Sequence, residues 1–328
     1  VGRPAITAQT WLAAAVLAPW LGWAVIRTFG IESGLGLIPL MTFTPYVGAV
    51  SVLPFLLALA LRRWVVAAVA LLTVAAFAHA LLPRALAGPR PAVSGGVPLS
   101  VMTANLYEGR ADAAAVVALV REHRVQLLAL EELPPEEVAR LDAAGLDRLL
   151  PYRNVDARPG ASGTGLFSAF PLTALPPANQ LDRNGAPRAL VAVPGARPID
   201  VQGVHPPPPI NGNDGIWRTM LGELPLPDAD DENGPPTPLN MLMGDFNATL
   251  DHHQLRRMLG GEDGYVDAAD ATGHGYRTTW PAGRRFPPEI AIDHVLIDPR
   301  MAAHDVVVRT VPRSDHRAVI AQLRVPRR

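Results

Sequence analysis

The run Met241-Leu242-Met243-Gly244-Asp245-Phe246-Asn247-Ala248 delivers a carboxylate and a carboxamide, two residues apart, at the end of an apolar stretch. Alternation along a strand end turns Asp245 and Asn247 to one face and Phe246 to the other. Gly244 lets the backbone come close to a ligand. Such groups facing one space can hold a hard cation or handle the proton of a water. The same residue types recur at the ends of other apolar runs: Asn105, Glu131-Glu132, His205, Asp293-His294 and Asp315-His316.

The elements that must position these groups can be read from the pattern. Leu99 to Ala104 reads as a strand ending at Asn105, Ala111 to His123 as an amphipathic helix with Asp112 near its start, and Val125 to Leu130 as a strand ending in Glu131-Glu132. That β-α-β order, with polar residues at both strand exits, suggests an α/β sheet whose ligands collect at one edge. Gly163 to Ser168 and Pro171-Leu172 form a strand-turn-strand passage, and Arg188 to Val193 pairs with Ile199 to Val204, which ends at His205. Residues 206–238 hold the run Pro206–Pro209, a short helix near Trp217 and a polar segment, a long loop region that shapes substrate access. Asp251 is placed to cap a short surface helix through Leu259. Ile290 to Ile297, Val306 to Val311 and Arg317 to Leu323 complete the strands.

Composition divides the chain. Hydrophobic residues make up 49% of the 328, and the excess lies at the front. Trp11 to Phe29, Ile38 to Leu61 and Trp64 to Leu82 are apolar spans, each close to the ~20 residues that cross a bilayer. The expected organisation is a membrane domain with three transmembrane helices over 1–83, a Pro/Gly-rich linker over 84–97, and a folded domain over 98–328. Arg62-Arg63 fills a very short loop without acids, which argues for a cytoplasmic loop and an extracellular folded domain, although Arg84 and Arg90 follow the third span. This makes a multi-pass protein of the cell membrane, with the bilayer as partner. Lysine and cysteine are absent, so no disulfide or thiolate site exists, which fits an exported domain. Six arginines and one acid precede residue 98, leaving 23 arginines against 29 acids beyond it. That excess of acid gives no strong nucleic-acid footprint. No feature indicates a protein partner.

In order, Thr103-Ala104-Asn105, Leu130-Glu131-Glu132, Gly165 to Pro171, Val204-His205, Gly244 to Asn247, Ile292-Asp293-His294 and Ser314-Asp315-His316 resemble the motifs of the endonuclease/exonuclease/phosphatase superfamily. That group contains DNase I, apurinic endonucleases, inositol-polyphosphate phosphatases and neutral sphingomyelinases. The resemblance covers about 98 to 325 and implies an α/β fold, a DNase I-like two-sheet α/β sandwich with helices outside, here preceded by three transmembrane helices. It implies a divalent-metal phosphoesterase site. Glu132 would hold Mg²⁺ or Mn²⁺, with Asn105 and Asp315 completing or supporting the site. Asp245 would orient or deprotonate the attacking water, and Asn247 would fix the phosphate or that water. His205 and His316 would donate to phosphoryl oxygens, or one would act as acid or base, with Asp293 holding the His316 imidazole. Attack would be direct, without a covalent enzyme intermediate.

Each assignment has a plainer counterpart. Asp293 as a turn residue and Asp315 as a cap stay open, as do substrate contact and structural roles for Tyr107, Arg188 and Trp217. Trp280 is expected beneath the site, and His294 is expected to be structural because alternation turns it from Asp293. Asp251-His252-His253 looks like a metal motif of another phosphoesterase family but is expected to be none, since it opens a surface helix without that family's other motifs. The chain also departs from DNase I-type nucleases: the glutamate they pair with the first histidine and their basic DNA-contacting loops have no clear counterpart. Three spans before such a domain resemble actinomycete membrane proteins linked to teicoplanin resistance, a group thought to act on undecaprenyl pyrophosphate. The leading expectation is a membrane-anchored phosphoesterase acting on a phosphate ester or pyrophosphate, lipid-linked in its sharpest form. The alternatives are an exported metal-dependent nuclease and a non-catalytic membrane binding protein.

Overall fold

A computed structural model describes residues 7–32, 36–88, 93, 95–177, 185–230, 236–261, 263–284 and 286–328. The chain begins with helix α1 (Ala8–Phe29), which Gly30 ends in a left-handed conformation. The expected second span is a correction. Residues 38–61 do not form one continuous helix but divide among α2 (Leu37–Met41), α3 (Thr44–Val50) and α4 (Val52–Ala60). Pro39, Pro45 and Pro54 each remove a helical donor. The hydroxyls of Thr42, Thr44 and Ser51 bond back to Pro39, Met41 and Gly48 carbonyls at 2.7 Å, completing turns where the helix breaks. Helix α5 (Trp64–Leu81) follows and runs on as a 3₁₀ turn to Ala85. Among the described residues, two helices rather than three are long and apolar enough to cross a membrane, Ala8–Phe29 and Trp64–Ala85.

Among the described residues, twelve strands and six further helices follow: β1 (Val97–Asn105), α6 (Ala113–Glu122), β2 (Leu127–Glu131), α7 (Pro135–Ala143), α8 (Leu146–Leu149), β3 (Tyr152–Asp156), β4 (Thr164–Ser168), β5 (Leu172–Leu175), β6 (Arg188–Val191), β7 (Ile199–Val204), α9 (Asp214–Gly222), β8 (Leu239–Asp245), α10 (His253–Leu259), β9 (Val266–Asp267), α11 (Ala268–Ala271), β10 (Asp293–Ile297), β11 (Ala302–Thr310) and β12 (Arg317–Val325). They form two six-stranded sheets, ordered β11-β12-β1-β2-β4-β3 and β5-β6-β7-β8-β10-β9. Each has one central parallel pair, β1 with β2 and β7 with β8, and the remaining pairings are antiparallel. The inner faces meet through Val101, Leu127 and Ala129 on one sheet and Val201, Met241 and Val295 on the other. Helix α6, capped by Asp112, covers the outside of the first sheet; α9 and α10 cover the second. This is the expected two-sheet α/β sandwich. Trp217 is structural, buried with its indole N–H donating to the Phe246 carbonyl at 3.1 Å, and Arg188 is paired with Asp200 at 2.6 Å.

The helical region and the sandwich are locked together at Asp251. Its carboxylate is buried and receives Arg27 at 2.6 Å and both terminal nitrogens of Arg84 at 2.8 Å. Next to it, the buried His252 donates from Nε2 to the Ile38 carbonyl at 2.9 Å and accepts the Thr249 amide on Nδ1 at 2.8 Å. The amide of His253 donates to Glu32. Asp251 therefore does not cap α10, whose N-cap is His252, although the tripeptide does open that outer helix. The tripeptide carries the contact between the two parts. The linker is engaged at its start, since Arg84 is buried and the Gly88 amide donates to the Ala271 carbonyl at 3.0 Å. Residues 89–92 and 94 lie outside the described residues.

Burial pushes the Asp251 carboxyl up, but Arg84 and then Arg27 outweigh it and hold the group below the usual carboxylate range. The pairing is thus fully present above the unfolded value of about 4 and is lost as pH falls through the lowered folded value. Asp251→Ala leaves two guanidinium groups unpaired, and we expect a loss of about 3–5 kcal/mol from the docking of the two parts. Thermal unfolding in detergent, with protease cleavage near residue 88 as a second readout, measures it. Unchanged melting and cleavage would show that the clamp carries no load.

Candidate active site

Both central parallel pairs end at one rim of the sandwich, and the chemistry-bearing side chains gather there. Strand register sets Asn105 opposite Glu131, Val204 opposite Gly244, and Asp245 opposite Asp293. Asn105 spans two carboxylates: its Nδ2 donates to Glu132 Oε1 and to Asp245 Oδ2, each at 3.1 Å. Its Oδ1 accepts the Tyr107 amide at 2.9 Å, so in this conformation it supports the carboxylates. Glu132 accepts the Glu108 amide at 2.7 Å, and Asp245 accepts the Asn247 amide at 2.8 Å. His205 Nε2 lies 3.8 Å from Asp245 and 4.0 Å from Glu132. His316 Nδ1 sits 2.9 Å from Asp293 Oδ2, and its Nε2 faces Asp245 at 3.8 Å.

The backbone is bent to make this arrangement. Glu132 and Asn247 adopt left-handed conformations at φ 52° and 47°, each as its strand ends. Non-glycine residues there cost about 1–3 kcal/mol and persist where the surroundings fix them. Here the fixing bonds are the Glu108 amide on Glu132 and the Asn247 amide and side chain, the latter donating to the Pro206 carbonyl at 3.0 Å. Gly244 serves a different purpose from the one expected. A Cβ at this position would stand 2.0 Å from the Val204 carbonyl, so the glycine admits a neighbouring strand rather than a ligand.

Burial and like charge set the protonation states. Burial and then the Asp293 charge raise the Asp245 carboxyl, and burial raises Glu132 against the Asn105 and Glu108 bonds. Glu131, fully buried below the rim with only Thr103 donating to it at 2.9 Å, is pushed well up by burial and then by Asp293. The two histidines are driven apart. Burial and then the His316 charge lower His205 to about 4. Burial also opposes charge on His316, but Asp293 and Asp245 outweigh it and raise it to about 10. One imidazole is thus neutral and the other cationic near neutral pH, which separates donor from acceptor roles.

The donor set fits a hard divalent cation. Asp245, Asp293 and His316 bring ligand atoms within 4.8 Å of one another, the imidazole counting only when deprotonated, and Asn105 joins Glu132 to the carboxylates through Asp245. Oxygen-rich clusters of this kind suit Mg²⁺ or Mn²⁺, and such an ion would offset the burial, and for Asp245 the like charge, that raise these carboxyls. When bound, the ion polarises a phosphoryl oxygen.

Residues 102–316 match the Endonuclease/Exonuclease/phosphatase family. The chain belongs to this family. Solved structures share the sandwich fold. Truncated TDP2 from Caenorhabditis elegans superposes with a TM-score of 0.52 at 16% identity, covering 70% of this chain and 98% of that one. An AP endonuclease from Archaeoglobus fulgidus gives 0.51 at 16% identity, covering 68% and 98%. An endonuclease/exonuclease/phosphatase from Beutenbergia cavernae gives 0.48 at 19% identity, covering 70% and 72%. A search of curated proteins found no match. Family membership makes the chain a phosphoesterase, and the buried donor cluster makes the rim its candidate site.

Of the sequence-predicted residues, Asn105, Glu132, His205, Asp245, Asp293 and His316 meet directly. Asn247 and Asp315 line the same cavity, with Asp315 accepting the Trp280 indole N–H at 3.1 Å. Trp280 is in the cavity wall rather than beneath it. His294 is structural, held between Asp267 at 2.7 Å and the Ala248 carbonyl at 2.9 Å. Sequence reasoning missed Thr279, whose hydroxyl accepts the Ile292 and Asp293 amides, and gave no role to Ser314, which donates to the Asn105 carbonyl at 2.8 Å. It also missed the wall contributed by Pro39, Thr42 and Phe43 of the helical region.

Asp293 gives the largest upward push on His316, so Asp293→Asn lowers the pKa of that imidazole. An imidazolium is lost as pH rises through its pKa. We therefore expect the alkaline limb of kcat/KM to move to lower pH in the variant, with the His316 NMR titration moving alongside. A limb that stays in place while the NMR titration moves would remove His316 from the acid role.

Proposed function

We propose that this chain is a membrane-anchored, divalent-metal-dependent phosphoesterase that hydrolyses a phosphate ester or pyrophosphate joined to a lipid. The observation that carries the lipid part is the make-up of the active-site cavity. It has a volume of about 560 Å³, and the helical region supplies Pro39, Thr42 and Phe43 to its wall. Opposite them stand Pro207–Pro209, Ile210, Pro287 and Ile290, with Ile210 and the neighbouring Phe286 exposed. A reacting centre with carboxylates and histidines at its base and apolar walls above suits a phosphate carried on a hydrocarbon. Among the described residues the cavity lining contains no arginine, the only basic residue besides histidine in this chain, which argues against a nucleic-acid backbone as the substrate.

The anchor rests on the apolar exterior of the helices. Trp11, Leu12, Phe29, Trp64, Val65 and Leu72 all stand exposed, a surface that water would not favour. The charge pattern of the short loops supports an extracellular catalytic domain.

In the proposed reaction, a water oxygen forms the new bond to phosphorus in line with the bond that breaks. Asp245 orients the water and takes its proton, with Asn247 fixing the phosphate. Glu132 would hold the cation, with Asn105 and Asp315 in support. His316 donates through Nε2 to the phosphoryl or leaving oxygen, and neutral His205 hydrogen-bonds a phosphoryl oxygen. Asp293 keeps His316 charged and oriented.

Undecaprenyl pyrophosphate is the first substrate to try, because the sequence resemblance to teicoplanin-resistance membrane proteins suggests it, although only two of the three spans behind that resemblance are long enough to cross a membrane among the described residues. With full-length protein in detergent and Mg²⁺, phosphate release from this lipid is expected without nicking of supercoiled DNA. His316→Ala should reduce release by about 10²–10⁴-fold. Nicking without phosphate release would make the chain a tethered nuclease. No activity on either, with Glu132→Ala equally silent, would favour a binding protein that keeps the fold.

A further inference from the structure

A second cavity of about 550 Å³ lies between α3, α5 and the sandwich, and Thr42 and Ile290 line both it and the active-site cavity. Its sides are Pro45, Ala49, Val74 and Ala78, and it reaches the outer surface where Ala49 and Leu82 stand exposed. Its polar lining groups are already committed. The Tyr46 hydroxyl donates to the Glu289 carbonyl and the Tyr276 hydroxyl to the Leu81 carbonyl, each at 2.6 Å. Arg84 is bound to Asp251, and the Glu289 carboxylate to Thr278 and Arg317. Thr42 and Ser51 bond to backbone carbonyls within their own turns, and Thr249 pairs with His252. A polar ligand would therefore find its recognition groups taken, whereas an apolar chain would need none.

We propose that this groove is a binding site for the hydrocarbon chain of the substrate whose phosphate is cut at His316 and Asp245, a proposal that rests on the lipid-linked reading above. It adjoins the catalytic cavity at Thr42 and Ile290, which selects that occupant over an unrelated lipid. Its walls come from α5, one of the two long apolar helices, so a chain lying in the bilayer can enter without crossing water.

The test compares two pyrophosphates with the same head, undecaprenyl and isopentenyl, on full-length protein with Mg²⁺. Ala78→Trp on α5 and Ala49→Trp on α3 each fill the groove from opposite sides, and Leu72→Trp, on the exposed face of α5, is the control. We expect wild type to favour the long chain. Either groove variant should cut its kcat/KM by about tenfold or more while sparing the short substrate, since remote binding energy is lost. The control should match wild type. If wild type cuts the long substrate but both groove variants cut it normally, or lose both substrates equally, the groove holds no substrate chain and the lipid-linked reading stands. If wild type cuts only the isopentenyl compound, or neither, the lipid-linked reading falls and this proposal with it.

Discussion

The structure depends on keeping several buried carboxyl groups beside one another. Asp245 and Asp293 occupy directly opposed positions on antiparallel strands, an arrangement that like charges ordinarily destabilise. Glu131 and Glu132 stand on the facing sheet, one below the rim and one in it. Three features make the cluster tolerable. An imidazolium, His316, sits against Asp293; Asn105 joins Glu132 to Asp245 with one amide group; and backbone amides of Glu108 and Asn247 meet the remaining oxygens. The upward shifts of Asp245 and Glu131 show that compensation by protein groups alone is incomplete. The residual demand is for positive charge with a preference for oxygen ligands, which is the property of a hard divalent ion.

That electrostatic demand explains the local backbone. A carboxylate at a strand exit meets fresh amide N–H groups only if the chain turns sharply there. Glu132 and Asn247 do so in left-handed conformations, and Gly244 lets β8 approach β7 closely enough for Asp245 to face the histidines. The sandwich itself supplies the convergence. Each sheet has a single central parallel pair, and both pairs deliver their carboxyl ends to the same rim. The proposed catalytic side chains, from widely separated segments, are thereby held at the ends of rigid strands.

Much of this was legible in the sequence because strand-end chemistry is local. Asn105, Glu132, His205, Asp245, Asp293 and His316 each follow or open a short apolar run, and their order along the chain carries the family resemblance. What was not legible depends on contacts distant in sequence. Asp251 looked like a helix cap because its neighbours fit one, yet Arg27 and Arg84, 224 and 167 residues away, take its oxygens. The segment 38–61 read as one span because hydropathy sums over a window, whereas Pro39, Pro45 and Pro54 act at single positions on the backbone. Residues 134–156 went unassigned for a related reason: α7, α8 and the edge strand β3 are short and half-exposed, so they carry little periodic signal.

The joint at Asp251 bears on how the apolar helices and the site work together. A domain tethered only by a flexible linker could turn its rim in any direction, and a membrane-borne substrate would meet it by chance. Here the clamp of Arg27 and Arg84 on Asp251, with His252 on the Ile38 carbonyl, fixes α1, α2 and α5 against the sandwich. One turn beyond Ile38, Thr42 and Phe43 form part of the catalytic cavity wall. The interaction that holds the two parts together therefore also sets the shape of the site. An enzyme acting on soluble esters gains nothing from building its pocket out of an apolar helical segment, and incurs the cost of exposing it. With a substrate held in a bilayer, the same construction replaces a search in three dimensions by a fixed orientation toward the surface that carries it.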